Sequence, residues 1–159
     1  DLIQKRPDQA AAHGLVGNLY EHQEKLDLAE SHYLKALAIA PGDVIAANNL
    51  AFLYAQKDKE LNKALDLARM AREKAGELPQ VMDTLGWVYY KKGVYDSALM
   101  EFLGSVKKNP ENPVFQYHLG LTYYKKGDYE KAETALKKAL ALKPDFKGAD
   151  HARKVLSQL

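Results

Sequence analysis

The chain has 159 residues, 47% hydrophobic and 28% charged, which is the composition of a chain that buries a core rather than a disordered one. Its 23 basic and 21 acidic residues leave a net charge of +2, too even a balance for a dedicated phosphate-binding surface, so nucleic acid is not an expected partner. The absence of cysteine excludes disulfides, thiolate metal sites and cysteine nucleophiles, and no apolar run approaches the ~18 residues that span a bilayer, so direct membrane insertion is not expected.

Taken in chain order, residues 1–9 end in Pro7-Asp8-Gln9, which has the phase of a closing turn. They are expected to be the tail of a truncated preceding repeat, with the native array continuing on that side. Four aligned segments follow, at residues 10–43, 44–78, 79–112 and 113–146. Val16, Leu50, Leu85 and Leu119 hold one aliphatic phase, and the small residues Gly17, Ala51, Gly86 and Gly120 come next. Tyr20, Tyr54, Tyr89 and Tyr123 lie three residues further on. Ala29, Ala64, Ala98 and Ala132 hold another phase; Ala36, Ala71, Ser105 and Ala139 hold the next; Pro41, Gly76, Pro110 and Pro144 close each segment. The spacing is 34 residues except for one extra residue between Tyr54 and Ala64. Residues 147–159 read as a further amphipathic helix, with Ala149, Ala152, Val155 and Leu156 apolar.

Each segment reads as two helices. In residues 81–92, Met82, Leu85, Gly86 and Tyr89 share one helical face, and Gly93 suits the left-handed turn that ends a helix. In residues 96–108, Ala98, Phe102, Ser105 and Val106 form the second face, which Pro110 terminates. Asn112-Pro113 supplies a cap and a first-turn proline, and Asp43 and Asp128 are equivalent caps. The small phase lets two helix backbones approach, with the tyrosine three residues on filling the space beside it.

The run Leu85-Gly86-x-x-Tyr89 with Ala98, Phe102 and Pro110, and again Leu119-Gly120-x-x-Tyr123 with Gly127, Ala132, Ala139 and Pro144, resembles the tetratricopeptide repeat. The resemblance covers residues 10–146 and implies an all-α fold, a right-handed α-solenoid of helix-turn-helix repeats, with residues 147–159 as a C-terminal capping helix. The second segment departs most, with Ala51 in place of glycine and Gly76 in place of proline. The stretch from Asn48 to Phe52 and from Asp83 to Val88 also resembles bacterial tetratricopeptide lipoproteins linked to exopolysaccharide and protein sorting. Location in the bacterial cytoplasm and in the envelope or periplasm both fit.

The resemblance implies a non-catalytic scaffold for protein–protein interaction, binding a peptide or helix in the concave groove formed by successive first helices. The alternative is a recognition arm of a larger enzyme or of a secretion or assembly machine. No phosphate-binding loop, nucleophile elbow or compact histidine metal spacing occurs, so neither a cofactor nor a metal nor enzymatic activity is expected. The groove candidates are the stripe opposite the packing face. They are Asn18; Asn48, Asn49 and Phe52; Asp83, Thr84, Trp87, Tyr90 and Lys91; and Tyr117, His118, Leu121, Tyr124 and Lys125. Aromatic residues on such a stripe are typical anchors, and asparagine offers a donor and an acceptor to a peptide backbone. Phe52, Trp87 and Leu121 share one repeat phase, so they either line the groove or pack between first helices. A carboxylate clamp of the chaperone-binding type would place cations where Gly14, Gln80 and Thr84 stand, which leaves a bound carboxylate without a strong partner. The N-terminal edge is a further candidate, for self-association.

Overall fold

The computed structural model describes residues 2–159, with side chains from Gln9 onward. Among these residues the elements are helices: α1 (Leu2–His22), α2 (Leu26–Ile39), α3 (Val44–Gln56), α4 (Leu61–Ala75), α5 (Pro79–Lys91), α6 (Tyr95–Lys108), α7 (Pro113–Lys126), α8 (Tyr129–Leu142) and α9 (Ala149–Leu156). They form two compact units, residues 1–76 and 77–159. In the first unit α1 packs on α2, α2 on α3 and α3 on α4, and α1 also meets α3. In the second, α5 to α8 pack in the same sequential way, α5 meets α7, and α9 closes against α8 and α7.

The turn inside each hairpin is the same device four times. The backbone N–H of Lys25, Lys59, Val94 and Asp128 donates to the carbonyl of Tyr20, Tyr54, Tyr89 and Tyr123, at 2.9–3.0 Å. A second bond, from Glu24 to Glu21, Asp58 to Ala55, Gly93 to Tyr90 and Gly127 to Tyr124, completes a Schellman cap. The residue before the first donor is left-handed in every case, at Glu24, Asp58, Gly93 and Gly127. The extra residue of the second hairpin is absorbed at Glu60, which is also left-handed and precedes α4.

The small phase marks the helix crossing, and the residue that fills it comes from the second helix. A methyl group added at Gly17 would lie 2.6 Å from the Tyr33 ring, at Gly86 2.7 Å from Phe102, and at Gly120 2.7 Å from Leu136. The expectation that the tyrosine three residues on fills this space is therefore corrected, because Cβ of a helical residue points at the partner helix and not along its own axis. Tyr54 is buried, whereas Tyr20, Tyr89 and Tyr123 are only partly so. A lysine ammonium stands 5.4–5.9 Å from the ring centroid of three of them: Lys25 at Tyr20, Lys59 and Lys63 at Tyr54, and Lys131 at Tyr123. The second hairpin's departure also has a reason: where the others oppose glycine to Tyr33, Phe102 or Leu136, it has Ala51 and Ala68, both fully buried. The second hairpin thus meets the crossing with two small residues in place of a glycine and a large one.

Caps fix the starts. The Asp43 carboxylate accepts from the N–H of Ala46 at 2.8 Å, Asn112 from Val114 and Phe115 at 2.9 and 3.2 Å, and Asp128 from Lys131 at 3.4 Å. Pro79 and Pro113 stand in the first turns of α5 and α7, where the missing N–H costs nothing. At the other end, Gly148 takes φ 115 and turns the chain into α9. Ala149, Ala152 and Val155 then join Tyr117, Leu121, Leu136, Ala139 and Phe146 in one buried cluster.

At the start, α1 runs without a break from Leu2 to His22. The turn expected at Pro7-Asp8-Gln9 is not formed: the backbone is helical through these residues, and no left-handed residue follows before Glu24. The side chains of residues 1–8 lie outside the described ones.

Candidate partner-binding site

In the second unit the first helices α5 and α7 carry ten of the expected stripe residues, and burial divides them. Asp83, Thr84, Tyr117, His118 and Leu121 are buried. The structure places these five in the interior, and for Leu121 this is the packing alternative, because α7 closes over α5 and α9 over α7. His118 Nδ1 lies 2.9 and 3.0 Å from the two Asp83 carboxylate oxygens, which joins the two first helices through a pair with almost no access to water. The Tyr117 hydroxyl meets His151 Nδ1 at 2.8 Å, and burial pushes its ionisation up to about 12.

Trp87, Tyr90, Lys91 and Tyr124 are partly exposed and Lys125 is exposed. Trp87 stacks on Tyr90 with ring centroids 5.0 Å apart and planes 6° from parallel, and on the other side it stacks on His118 at 4.3 Å. The Lys91 ammonium stands 5.7 Å from the Trp87 ring. Trp87 therefore packs against both core clusters of the unit and still reaches its surface. Burial first, then the neighbouring Tyr95 and Tyr117, hold the Tyr90 hydroxyl well above the usual phenol range. The Trp87 indole N–H is buried without a hydrogen-bond acceptor. The Tyr124 hydroxyl donates to Gln158 at 3.3 Å, which sets the outer edge of the patch against the chain after α9.

In the first unit, Asn18 of α1 is exposed and Asn48, Asn49 and Phe52 of α3 are partly exposed. The Asn48 amide donates to Asn49 at 3.3 Å, which orients both side chains. The Asn48 carbonyl oxygen, and that of Gln56 two turns further along the same stripe, are buried without a donor. Asn48, Phe52 and Gln56 thus form a half-buried stripe that holds two unsatisfied buried acceptors.

The N-terminal edge shows a different kind of surface. Ala46 and Leu53, Val81 and Val88, and Phe115 and Thr122 are buried at one repeat phase. At the same phase in α1, Ala12 is exposed and Leu19 is 56% exposed, with Leu15 beside them at 73%.

Two arrangements escape a reading of the sequence. The Asp83–His118 pair spans 35 residues, and a contact between His13 and His32, with Nδ1 atoms 3.0 Å apart, spans 19. Both depend on hairpin register, which residue spacing does not state. Several lysines at helix ends are ion-paired across neighbouring elements: Lys57 to Asp27 at 2.9 Å, Lys59 to Glu30 at 3.1 Å, Lys108 to Glu77 at 2.5 Å, and Lys126 to Asp96. Among the described residues, no group of three or more His, Asp or Glu side chains is arranged to hold a metal ion, and no helix is long and apolar enough to cross a membrane.

Comparison with known proteins agrees with this architecture. Family models described as tetratricopeptide repeat match residues 1–44 and 113–146, and one described as TPR repeat matches residues 86–127. The chain is 29% identical over 140 residues to the anaphase-promoting complex subunit CDC16 of Saccharomyces cerevisiae, covering 84% of this chain and 17% of that protein. It is 30% identical over 98 residues to the STIP1 homolog of Dictyostelium discoideum, covering 57% of this chain and 17% of that protein. The chain thus spans about a sixth of the length of these curated relatives. Among solved structures it is similar to that of pilF from Pseudomonas aeruginosa, with a TM-score of 0.75 at 20% identity over 97% of this chain and 78% of that one. The repeated small-residue crossing, the recurring Schellman turn and these matches give one conclusion: the chain belongs to the tetratricopeptide repeat family, whose all-α helical hairpins form solenoid scaffolds for protein–protein interaction.

Proposed function

We propose that the chain is a non-catalytic scaffold that holds a peptide or helix of a protein partner on the first-helix surfaces of its units. The observation that carries this reading is the Trp87–Tyr90 stack, which is anchored in the core on one side and reaches the surface on the other. A partly exposed aromatic pair flanked by Lys91, Tyr124 and Lys125 has the make-up of an interface anchor with a polar rim. The stripe of Asn48, Asn49 and Phe52 supports the same reading in the first unit, because α3 there presents two partly exposed amides and a partly exposed aromatic ring. The relatives agree in kind, one of them being by name a subunit of a complex. Peptides selected from a display library against the whole chain test this directly. Binding that shifts Trp87 emission supports it; binders that leave Trp87 emission unchanged and compete with none that shift it count against it.

A second reading, an arm of a larger machine, is favoured by one observation: the curated relatives are far longer than the segment they share with this chain. Self-association through the exposed Leu15 and Leu19 is a third, tested by sedimentation at high concentration with Leu19→Glu as the control.

A further inference from the structure

His13 in α1 and His32 in α2 face each other across the first hairpin, with Nδ1 atoms 3.0 Å apart and ring centroids 5.1 Å apart. Repeat packing does not require histidine at either place. The equivalent pairs in the other hairpins are Ala47 with Leu67, Met82 with Glu101, and Gln116 with Ala135. Only the first hairpin sets two imidazoles against each other, and both residues are partly exposed.

From this juxtaposition we infer that His13 and His32 form a bidentate site for a divalent transition-metal ion of the nickel–copper class, a cation that bridges α1 and α2. Imidazole nitrogen is the ligand these ions favour. A metal ~2.0–2.1 Å from each nitrogen, as imidazole requires, would subtend an N–metal–N angle of about 91–97° at the observed separation. That is near the right angle between adjacent positions of a tetragonal or octahedral ion and well short of the tetrahedral angle of zinc, and water fills the remaining positions. A rotation of each ring about its soft outer torsion brings both lone pairs onto the ion. The proton balance closes within the pair. Without metal, one Nδ1 donates its proton to the other Nδ1; with metal, both Nδ1 atoms are ligands and that proton moves through water to Nε2 of the same ring. Lys35 on α2 lies near enough to act on His32, and the Tyr20 ring packs on the same imidazole at 5.4 Å. The Glu21 carboxylate is engaged by the Tyr33 hydroxyl at 2.8 Å.

The test uses Ni2+ and Cu2+ on the whole chain, with His13→Ala and His32→Leu as variants. Each of these places at its site the residue that the second hairpin already has at the equivalent position, so packing is retained. His22→Ala and His151→Ala serve as controls. The expected result is saturable one-to-one Ni2+ binding, with the midpoint of thermal unfolding raised by ~3–6 °C when free Ni2+ stands tenfold above Kd. Both effects are expected to be lost in either variant and kept in both controls. With Cu2+, the electron paramagnetic resonance spectrum should show two equatorial imidazole nitrogens, falling to one in each variant. Binding that persists unchanged in His13→Ala and His32→Leu, or that disappears only in a control, overturns the site. So does the absence of any saturable binding, which would leave the two histidines as a hydrogen-bonded pair.

Discussion

The Cβ that Gly86 lacks would sit 2.7 Å from the edge of the Phe102 ring, closer than any two such carbons can pack. Phe102 is fully buried and has no room to withdraw. Gly86→Ala is therefore expected to destabilise the chain by ~1–3 kcal/mol through overpacking, although alanine is the better helix former. Urea unfolding of Gly86→Ala, Phe102→Leu and the double variant checks this, with the double variant more stable than the sum of the two singles requires.

Asp83 and His118 form a buried pair between α5 and α7. Removing the carboxylate leaves an imidazole in the interior without that acceptor. Asp83→Ala is expected to cost ~2–4 kcal/mol, whereas replacing both residues with apolar ones of similar volume costs less. A double-mutant cycle by chemical denaturation measures the coupling directly.

The left-handed positions of the hairpin turns are glycine in the third and fourth hairpins but Glu24 and Asp58 in the first two. Glu24 is exposed and holds φ 58, a conformation that a side chain with Cβ resists. Glu24→Gly is expected to raise stability by ~0.5–1 kcal/mol, the relief of strain exceeding the added chain entropy of glycine. A lower unfolding midpoint in the variant would contradict this account of the turn.

Tyr54 and Tyr117 are buried, and burial is the first cause that raises each hydroxyl to about 12. The folded chain thus keeps protons that the unfolded chain releases near the ordinary value of 10.0. The sign follows: this contribution is complete below pH 10, declines as pH rises, and is gone once pH passes the folded value of about 12. Each such tyrosine adds a slope of at most about 1.4 kcal/mol per pH unit across that window. Unfolding midpoints between pH 8 and 11.5 should fall on the alkaline side, and Tyr54→Phe should flatten the decline.

The fold was legible because repeat packing writes itself into single phases. Gly17, Ala29 and Ala36 have counterparts every repeat, and each marks a buried contact that any hairpin of this kind requires. What fills the crossing was not legible, since Tyr33, Phe102, Leu136 and Ala68 share neither chemistry nor size. The candidate site was legible in part. Helical phase identifies the stripe but does not state how deeply a neighbouring helix covers it, so Leu121 and Thr84 are interior while Tyr90 and Tyr124 reach the surface. The pairing of His13 with His32 depends on the pitch of the hairpin, which no local pattern of either helix contains.

The most direct test of the scaffold reading compares the affinity of selected peptides for the unaltered chain and for Tyr124→Ala and Lys125→Glu. Lys125→Glu lies on the exposed side of the aromatic patch and is expected to leave the unfolding midpoint within about 2 °C, whereas Tyr124 also packs on the core cluster, so Tyr124→Ala is assayed well below its own midpoint. The account predicts a loss of affinity of tenfold or more in each, together with loss of the Trp87 emission shift. Full affinity in both variants, with folding intact, would contradict it and remove the second unit's surface as the binding site.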